Sequence, residues 1–186
     1  MRITVSGLPG SGTTSLSRYL SELLGFSMIS AGEVFRQLAD EHNMGLAEFG
    51  RFAQENPKFD KMIDARQKEI AEQRDNIIVE GRLSGWMIEN ADLKIWLYAP
   101  VGCRIKRIVF RDNIVDEKTA ELITLERERC EAARYCSYYN IEINDLSIYQ
   151  IILNSGHWDV KGLGSIIDTA IRNLKPDDYI NAYNSP

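Results

Sequence analysis

The stretch Gly7-Leu8-Pro9-Gly10-Ser11-Gly12-Thr13-Thr14 constrains this chain more than any other. A short apolar run, Arg2–Ser6, precedes it, and Leu16, Leu20, Leu23 and Leu24 recur after it at helical spacing. Strand, glycine-rich turn and helix, in that order, form the context of a phosphate-binding loop. In the usual pattern, G-x-x-x-x-G-K-[ST], Gly7 and Gly12 take the glycine positions and Thr14 the hydroxyl position that ligates Mg2+. Thr13 stands where a lysine normally carries positive charge to the phosphates. Backbone N–H groups and a helix N-terminus still favour an anion here. Pro9 and Gly10 suit a tight turn, and Ser11 adds a donor. The plainer alternative is a glycine-rich turn with no ligand. If the loop does hold phosphate, the missing charge has to come from elsewhere in the chain.

The 186 residues are 44% hydrophobic and 26% charged, which suits one domain with a full core. No run of about 18 apolar residues is present, so no membrane span is expected. No charged-then-apolar leader opens the chain, which points to a cytoplasmic protein. Cys103, Cys130 and Cys136 lack metal-ligand spacing and read as reduced thiols. His42 and His157 have no Cys or His beside them, which argues against a transition-metal site. A net charge of −5 argues against nucleic acid as a partner.

Short apolar strands alternate with helical segments along the chain. Strands are expected at Arg2–Ser6 (central), Phe26–Ser30, Ile77–Glu80, Leu93–Tyr98 and Tyr149–Leu153. Helices are expected at Thr13–Leu24 with Gly25 as its cap, Ala31–Asn43, Leu46–Gln54, and from the Asn56-Pro57 start to about Arg74. A single turn at Trp86–Asn90 follows. Further helices run from Pro100 to near Asp112 and, capped by Asp159, through Leu174. Asp116–Tyr139 is long, polar and helical in propensity, and the segment after Asp112 reads as a pair of polar helices forming a flap that excludes water from a transferring group. The whole is an α/β fold, three layers α/β/α, with a central parallel sheet of about five strands and a helical lid at about 112–140. Residues 1–174 make one domain and 175–186 a loose tail.

Glu80 ends a strand beside the loop, where an acid helps hold Mg2+, or is an ordinary strand-end carboxylate. Arg82 and Arg36 each follow a strand end, the edge where open α/β sheets place ligands. Together they suit a second phosphate. Arg104, Arg107 and Arg111 recur at spacings of three and four on one helix face. Arg127, Arg129 and Arg134 lie in the flap among Glu126, Glu128 and Glu131. Solvated charge on helices rich in acids is the plainer reading of these arginines, and for Arg129 it is kept. Arg107, Arg111, Arg127 and Arg134 are candidate clamps on a transferring phosphoryl group, replacing the lysine. Tyr135, Tyr138 and Tyr139 read as flap packing.

In order, the segments GLPGSGTT, ISAGEVFR, IIVEGRLSGW, APVGCRIKRIVFRD, RERCEAARYCSYYNIEIND and LSIYQIILNSGHWD resemble the archaeal type of cytidylate kinase, a family of nucleoside monophosphate kinases, over about Met1–Leu174. The resemblance implies a P-loop kinase that carries the γ-phosphoryl group of ATP to CMP or dCMP. It implies that Gly7–Thr14 holds ATP, that Thr14 and Glu80 serve Mg2+, and that Arg36 and Arg82, with Ser30, Gly32 and Gly81, hold the acceptor phosphate. Asp60, Asp64 and Arg66 fall where the family contacts the acceptor nucleotide; a solvated helix face explains them as well. A monomer is expected. The chain departs from the family at Thr13 and at Tyr149-Gln150, where Tyr-Asp is usual. Those residues leave two other classes open: a P-loop kinase for another acceptor such as AMP, and a nucleotide-binding regulator with little turnover.

Overall fold

Strand β1 (Arg2–Gly7) is buried along almost its whole length, as a strand flanked on both sides and covered on both faces must be. The structure is a computed structural model and describes residues 1–45, 48–49, 52 and 58–174. After β1 come α1 (Thr13–Leu24), β2 (Ser27–Ser30), α2 (Ala31–Glu41), α3 (Lys58–Glu72), β3 (Ile77–Glu80), α4 (Ser84–Met87), β4 (Leu93–Tyr98), α5 (Val101–Asp112), α6 (Glu117–Tyr139), β5 (Ile151–Asn154) and α7 (Val160–Arg172). The sheet order is β2-β3-β1-β4-β5, with every pairing parallel. This is the three-layer α/β/α architecture expected from the alternation of strands and helices.

Side chains alternate across the pleat. Ile3, Val5, Ile78, Ile95 and Leu97 face α1 and α7, where Leu16, Leu20, Leu163 and Ile167 complete one core. On the other face Ile29, Ile77 and Val79 pack with Val34 and Leu38 of α2, while Trp96 packs with Leu83, Tyr135 and Tyr149. All strand C-termini lie at one edge. There Val5 of β1 and Ser30 of β2 both pair with Glu80 of β3, which brings the glycine-rich loop, the α2 cap and the residues after Glu80 together.

Local chemistry sets the boundaries. Gly25 ends α1 at φ 67°, a left-handed conformation that suits glycine. Ser30 and Glu33 form a reciprocal capping box at the start of α2. Asp159 caps α7 by accepting from the Gly162 N–H at 2.7 Å.

Several elements differ from the sequence expectation. β2 begins at Ser27, because Phe26 packs against the core from outside the ladder. β5 begins at Ile151, because Tyr149 leaves the ladder to pack on Trp96, 5.3 Å between ring centroids, and against Gly85. A Cβ at Gly85 would lie 2.5 Å from the Tyr149 ring, so this approach requires glycine. The short helix begins at Ser84, two residues earlier than expected, because the Ser84 hydroxyl is tied to Ser6 Oγ (2.9 Å) and Gly81 O (3.1 Å). The segment after Asp112 is one unbroken helix, not a pair. Asn113, at φ 52°, closes α5, and Asp116 caps α6 through the N–H groups of Lys118 and Thr119. Most of Leu46–Gln54, the Asn56-Pro57 start and 175–186 lie outside the described residues. Among the described residues no helix is long and apolar enough to cross a membrane.

Candidate active site

Gly7 ends β1, and the chain turns at Gly10 (φ 78°) and Gly12 (φ 95°) into α1. Both conformations suit glycine. No side chain caps α1 at Gly12, so its first N–H groups open onto the cleft.

The loop is held from outside by its carbonyls. Arg82 Nη1 donates to Gly7 O at 2.7 Å, and Arg104 Nη1 donates to Pro9 O at 3.1 Å. Arg107 Nη1 donates to Gly10 O and Ser11 O, both at 3.3 Å. Ser155, just after β5, donates its hydroxyl to Ser11 O at 2.6 Å and accepts from Arg107 Nη1 at 2.9 Å. Carbonyls anchored outward leave the peptide N–H groups to line the inside. Arg104 is 5% exposed; it also donates to Ala99 O and pairs with Glu128 of α6.

The resulting cleft has a volume of about 580 Å3. Gly10–Leu16 forms its floor, Arg107 and Arg111 of α5 one wall, and Ser155, Trp158 and Asp159 another. Its dimensions and phosphate-facing floor suit a nucleotide.

Thr13 is buried, and its hydroxyl donates to Glu80 Oε1 at 2.6 Å. Burial pushes the Glu80 carboxyl up, partly offset by the Thr13 hydrogen bond and by Arg82 nearby. Thr14 is exposed on the cleft floor. Among the described residues no cluster of three or more His, Cys, Asp or Glu could hold a metal by itself. Glu80 and Thr14 supply a carboxylate and a hydroxyl, both hard oxygen donors. That fits Mg2+, which takes few protein ligands and draws the rest from water and phosphate.

The remaining candidates fall into groups. Arg82 follows β3 directly and pairs with Glu131 of α6 at 2.8 Å. Arg36 is exposed on α2, its guanidinium near Gly32. The Ser30 hydroxyl is engaged as the α2 cap, accepting from the Glu33 N–H at 3.1 Å. Gly81 is buried, with Gln67 of α3 against it; Gln67 Nε2 donates to Glu80 O at 2.8 Å. Asp64 accepts from the Tyr139 hydroxyl at 2.8 Å, joining α3 to the end of α6. Lys61 lies 5.3 Å from the Tyr138 ring centroid in the same region. Arg66 pairs with Glu69 on an exposed face of α3. The side chain of Asp60 lies outside the described residues. Arg111 makes two 2.7 Å hydrogen bonds to Asp112 at the cleft rim, and Arg134 is half-buried on α6. Gln150 takes up a backbone contact, accepting from the Lys94 N–H at 2.7 Å.

Glu128 and Glu131, on a helix whose charge reads as solvated, are not: their side chains are 14% and 9% exposed, and each neutralises a loop-holding arginine. Together Arg82 and Arg127 outweigh the burial of Glu131 and hold its carboxyl below the usual range. Arg104, Ser155 and Trp158 are further site residues that the sequence reading did not single out. For α6 a signal was present: Ala120, Thr124, Glu131 and Tyr135, all buried, recur at spacings that put them on one helix face.

Comparison with known proteins agrees with this geometry. The model of the cytidylate kinase-like family matches residues 2–157. The chain is 74% identical to "Cytidylate kinase" of Methanoregula boonei, over 96% of this chain and 98% of that one. It is 58% identical to "Cytidylate kinase" of Methanosphaerula palustris, over 94% and 99%. Among solved structures, shikimate kinase from Bacteroides thetaiotaomicron superposes with a TM-score of 0.61 at 12% identity, covering 92% of this chain and 98% of that one. That likeness is one of fold.

Proposed function

The chain belongs to the cytidylate kinase-like family, and from that premise we propose that it is an ATP-dependent kinase acting on CMP or dCMP. ATP and CMP give ADP and CDP. The observation that carries the reading is the loop Gly7–Thr14, gripped by its carbonyls from Arg82, Arg104 and Arg107, with a nucleotide-sized cleft on one side and Arg82 at the strand edge on the other.

The loop N–H groups and Thr14 hold the donor phosphates, and Arg82, with Arg36, holds the acceptor phosphate. An oxygen of the acceptor phosphate attacks the γ-phosphorus in line, its bond forming as the bond to the β-bridging oxygen of ATP breaks. No general base is required, because a phosphate monoester is already largely dianionic at neutral pH. The protein contributes position and charge neutralisation, which dominate phosphoryl transfer. Glu80 and Thr14 are the residues that would hold Mg2+, which would neutralise charge on the donor phosphates. Arg107 and Arg111 of α5, which line the cleft, and Arg127 and Arg134 of α6 are the arginines that would neutralise the transferring group. The reading carries a monomer that works in the cytoplasm on free nucleotides.

ADP formation measured across CMP, dCMP, UMP and AMP tests this assignment. The expected result is turnover highest with CMP or dCMP. Turnover with AMP well above CMP overturns the acceptor assignment, and tight ATP binding with no acceptor-dependent ADP release overturns the kinase assignment.

A further inference from the structure

Glu131 lies on the inner face of α6 and, although buried, serves two arginines at once. Arg82 donates from Nε to Oε2 at 2.8 Å, and Arg127 donates from Nε to Oε1 at 2.7 Å. Arg82 is further fixed by its Nη1 hydrogen bond to Gly7 O. A guanidinium carries its N–H groups in a rigid planar fork. With Nε on the carboxylate and Nη1 on Gly7 O, Arg82 keeps Nη2 to meet another anion, whereas Arg127, held at Nε, keeps its Nη edge. Arg82, 19% exposed, is thereby aimed from the strand edge. Arg127, 60% exposed, is aimed from the helix. One carboxylate thus holds an arginine at the strand edge and an arginine of its own helix.

We infer that Glu131 is a positioning residue, which holds Arg82 and Arg127 by their Nε groups so that Arg82 Nη2 and the Nη edge of Arg127 meet phosphate oxygens. The inference rests on the phosphoryl-transfer reading above. It gives a buried charge on α6 a role in the reaction. A glutamine here keeps the shape but has only one acceptor oxygen, so it satisfies one arginine and turns its NH2 group toward the other.

The test compares Glu131→Gln, Arg82→Lys and the double variant with wild type, in kcat and in KM for both substrates. A second readout is the 15N–1H spectrum of the arginine Nε–H groups without nucleotide. Glu131→Gln is expected to lower kcat about tenfold or more, to leave KM for ATP within about threefold, and to lose one protected Nε–H signal. The double variant is expected to lose less than the product of the two single losses, because Arg82 is shared between them, but more than Arg82→Lys alone, because Arg127 still depends on Glu131. A kcat for Glu131→Gln within about twofold of wild type, full multiplication of the two single losses, or unchanged Nε–H signals overturns the inference. If Glu131→Gln does not fold, Glu131→Asp keeps the charge but sets it back by one methylene; about tenfold loss of kcat is expected, and loss under about twofold overturns the inference. The ratios are taken with whichever nucleoside monophosphate wild type phosphorylates. Rejection of CMP therefore sinks the acceptor assignment and leaves these comparisons standing.

Discussion

Helices α5 and α6 pack against each other and both carry arginines at helical spacing, yet the two sets are held differently. Arg104 and Arg107 of α5 donate to backbone carbonyls of the loop and its surroundings. Arg127 and Arg129 of α6 pair with carboxylates of their own helix, Glu131 and Glu126, and stay exposed. The same side chain builds the loop in one place and stays at the helix surface in the other. What separates the two uses is the partner: a carbonyl locks a guanidinium into the fold, and a carboxylate one helical turn away only aims it.

That contrast makes Arg104 the most sensitive position for stability. Arg104→Ala strips Glu128 of its partner and leaves the carboxylate buried, a loss of about 3–5 kcal/mol in denaturant unfolding. A loss below about 1 kcal/mol would mean that the pair is solvated and that α5 does not lock the loop. Arg127→Ala should do the reverse. Its kcat falls about 100-fold, the scale for removing one donor to developing charge, with the melting temperature nearly unchanged. A falling melting temperature with kcat intact would reverse the roles assigned to the two helices.

Acid should loosen α6 through Glu131. Its folded-state carboxyl lies below the unfolded value, so its contribution is complete above the ordinary carboxylate range and fades as pH falls through the folded value. The gap in melting temperature between wild type and Glu131→Gln should therefore shrink as pH drops from neutral to about 3. A gap that widens with acid would contradict the pairing. The smallest effect is expected at Arg129, fully exposed and paired with exposed Glu126: Arg129→Ala should leave kcat within about twofold of wild type.

The sequence made some of this legible and hid the rest for physical reasons. The strand–loop–helix order, the central β1, the Gly25 and Asp159 caps and the parallel sheet follow from glycines, caps and apolar runs, which act locally. The spacing of Ala120, Thr124, Glu131 and Tyr135 marks one face of α6, but charge all round the helix hides that this face is the inner one, so the burial of Glu128 and Glu131 shows only in the tertiary packing. Arg104, Arg107 and Arg111 share a face by spacing alone, but which of them reaches Pro9 and which faces Asp112 depends on where the loop turns. Ser155 and Trp158 carry no local pattern; they reach the cleft only because β5 lies beside β4 in the sheet.

The central claim is that arginines replace the loop lysine. The direct measurement is CMP-dependent ADP formation by wild type and by Thr13→Lys. Thr13 already donates to half-buried Glu80, and a lysine there would bind that carboxylate as an ion pair. Wild type is expected to turn over readily and Thr13→Lys no faster. A silent wild type with an active Thr13→Lys variant would contradict that claim.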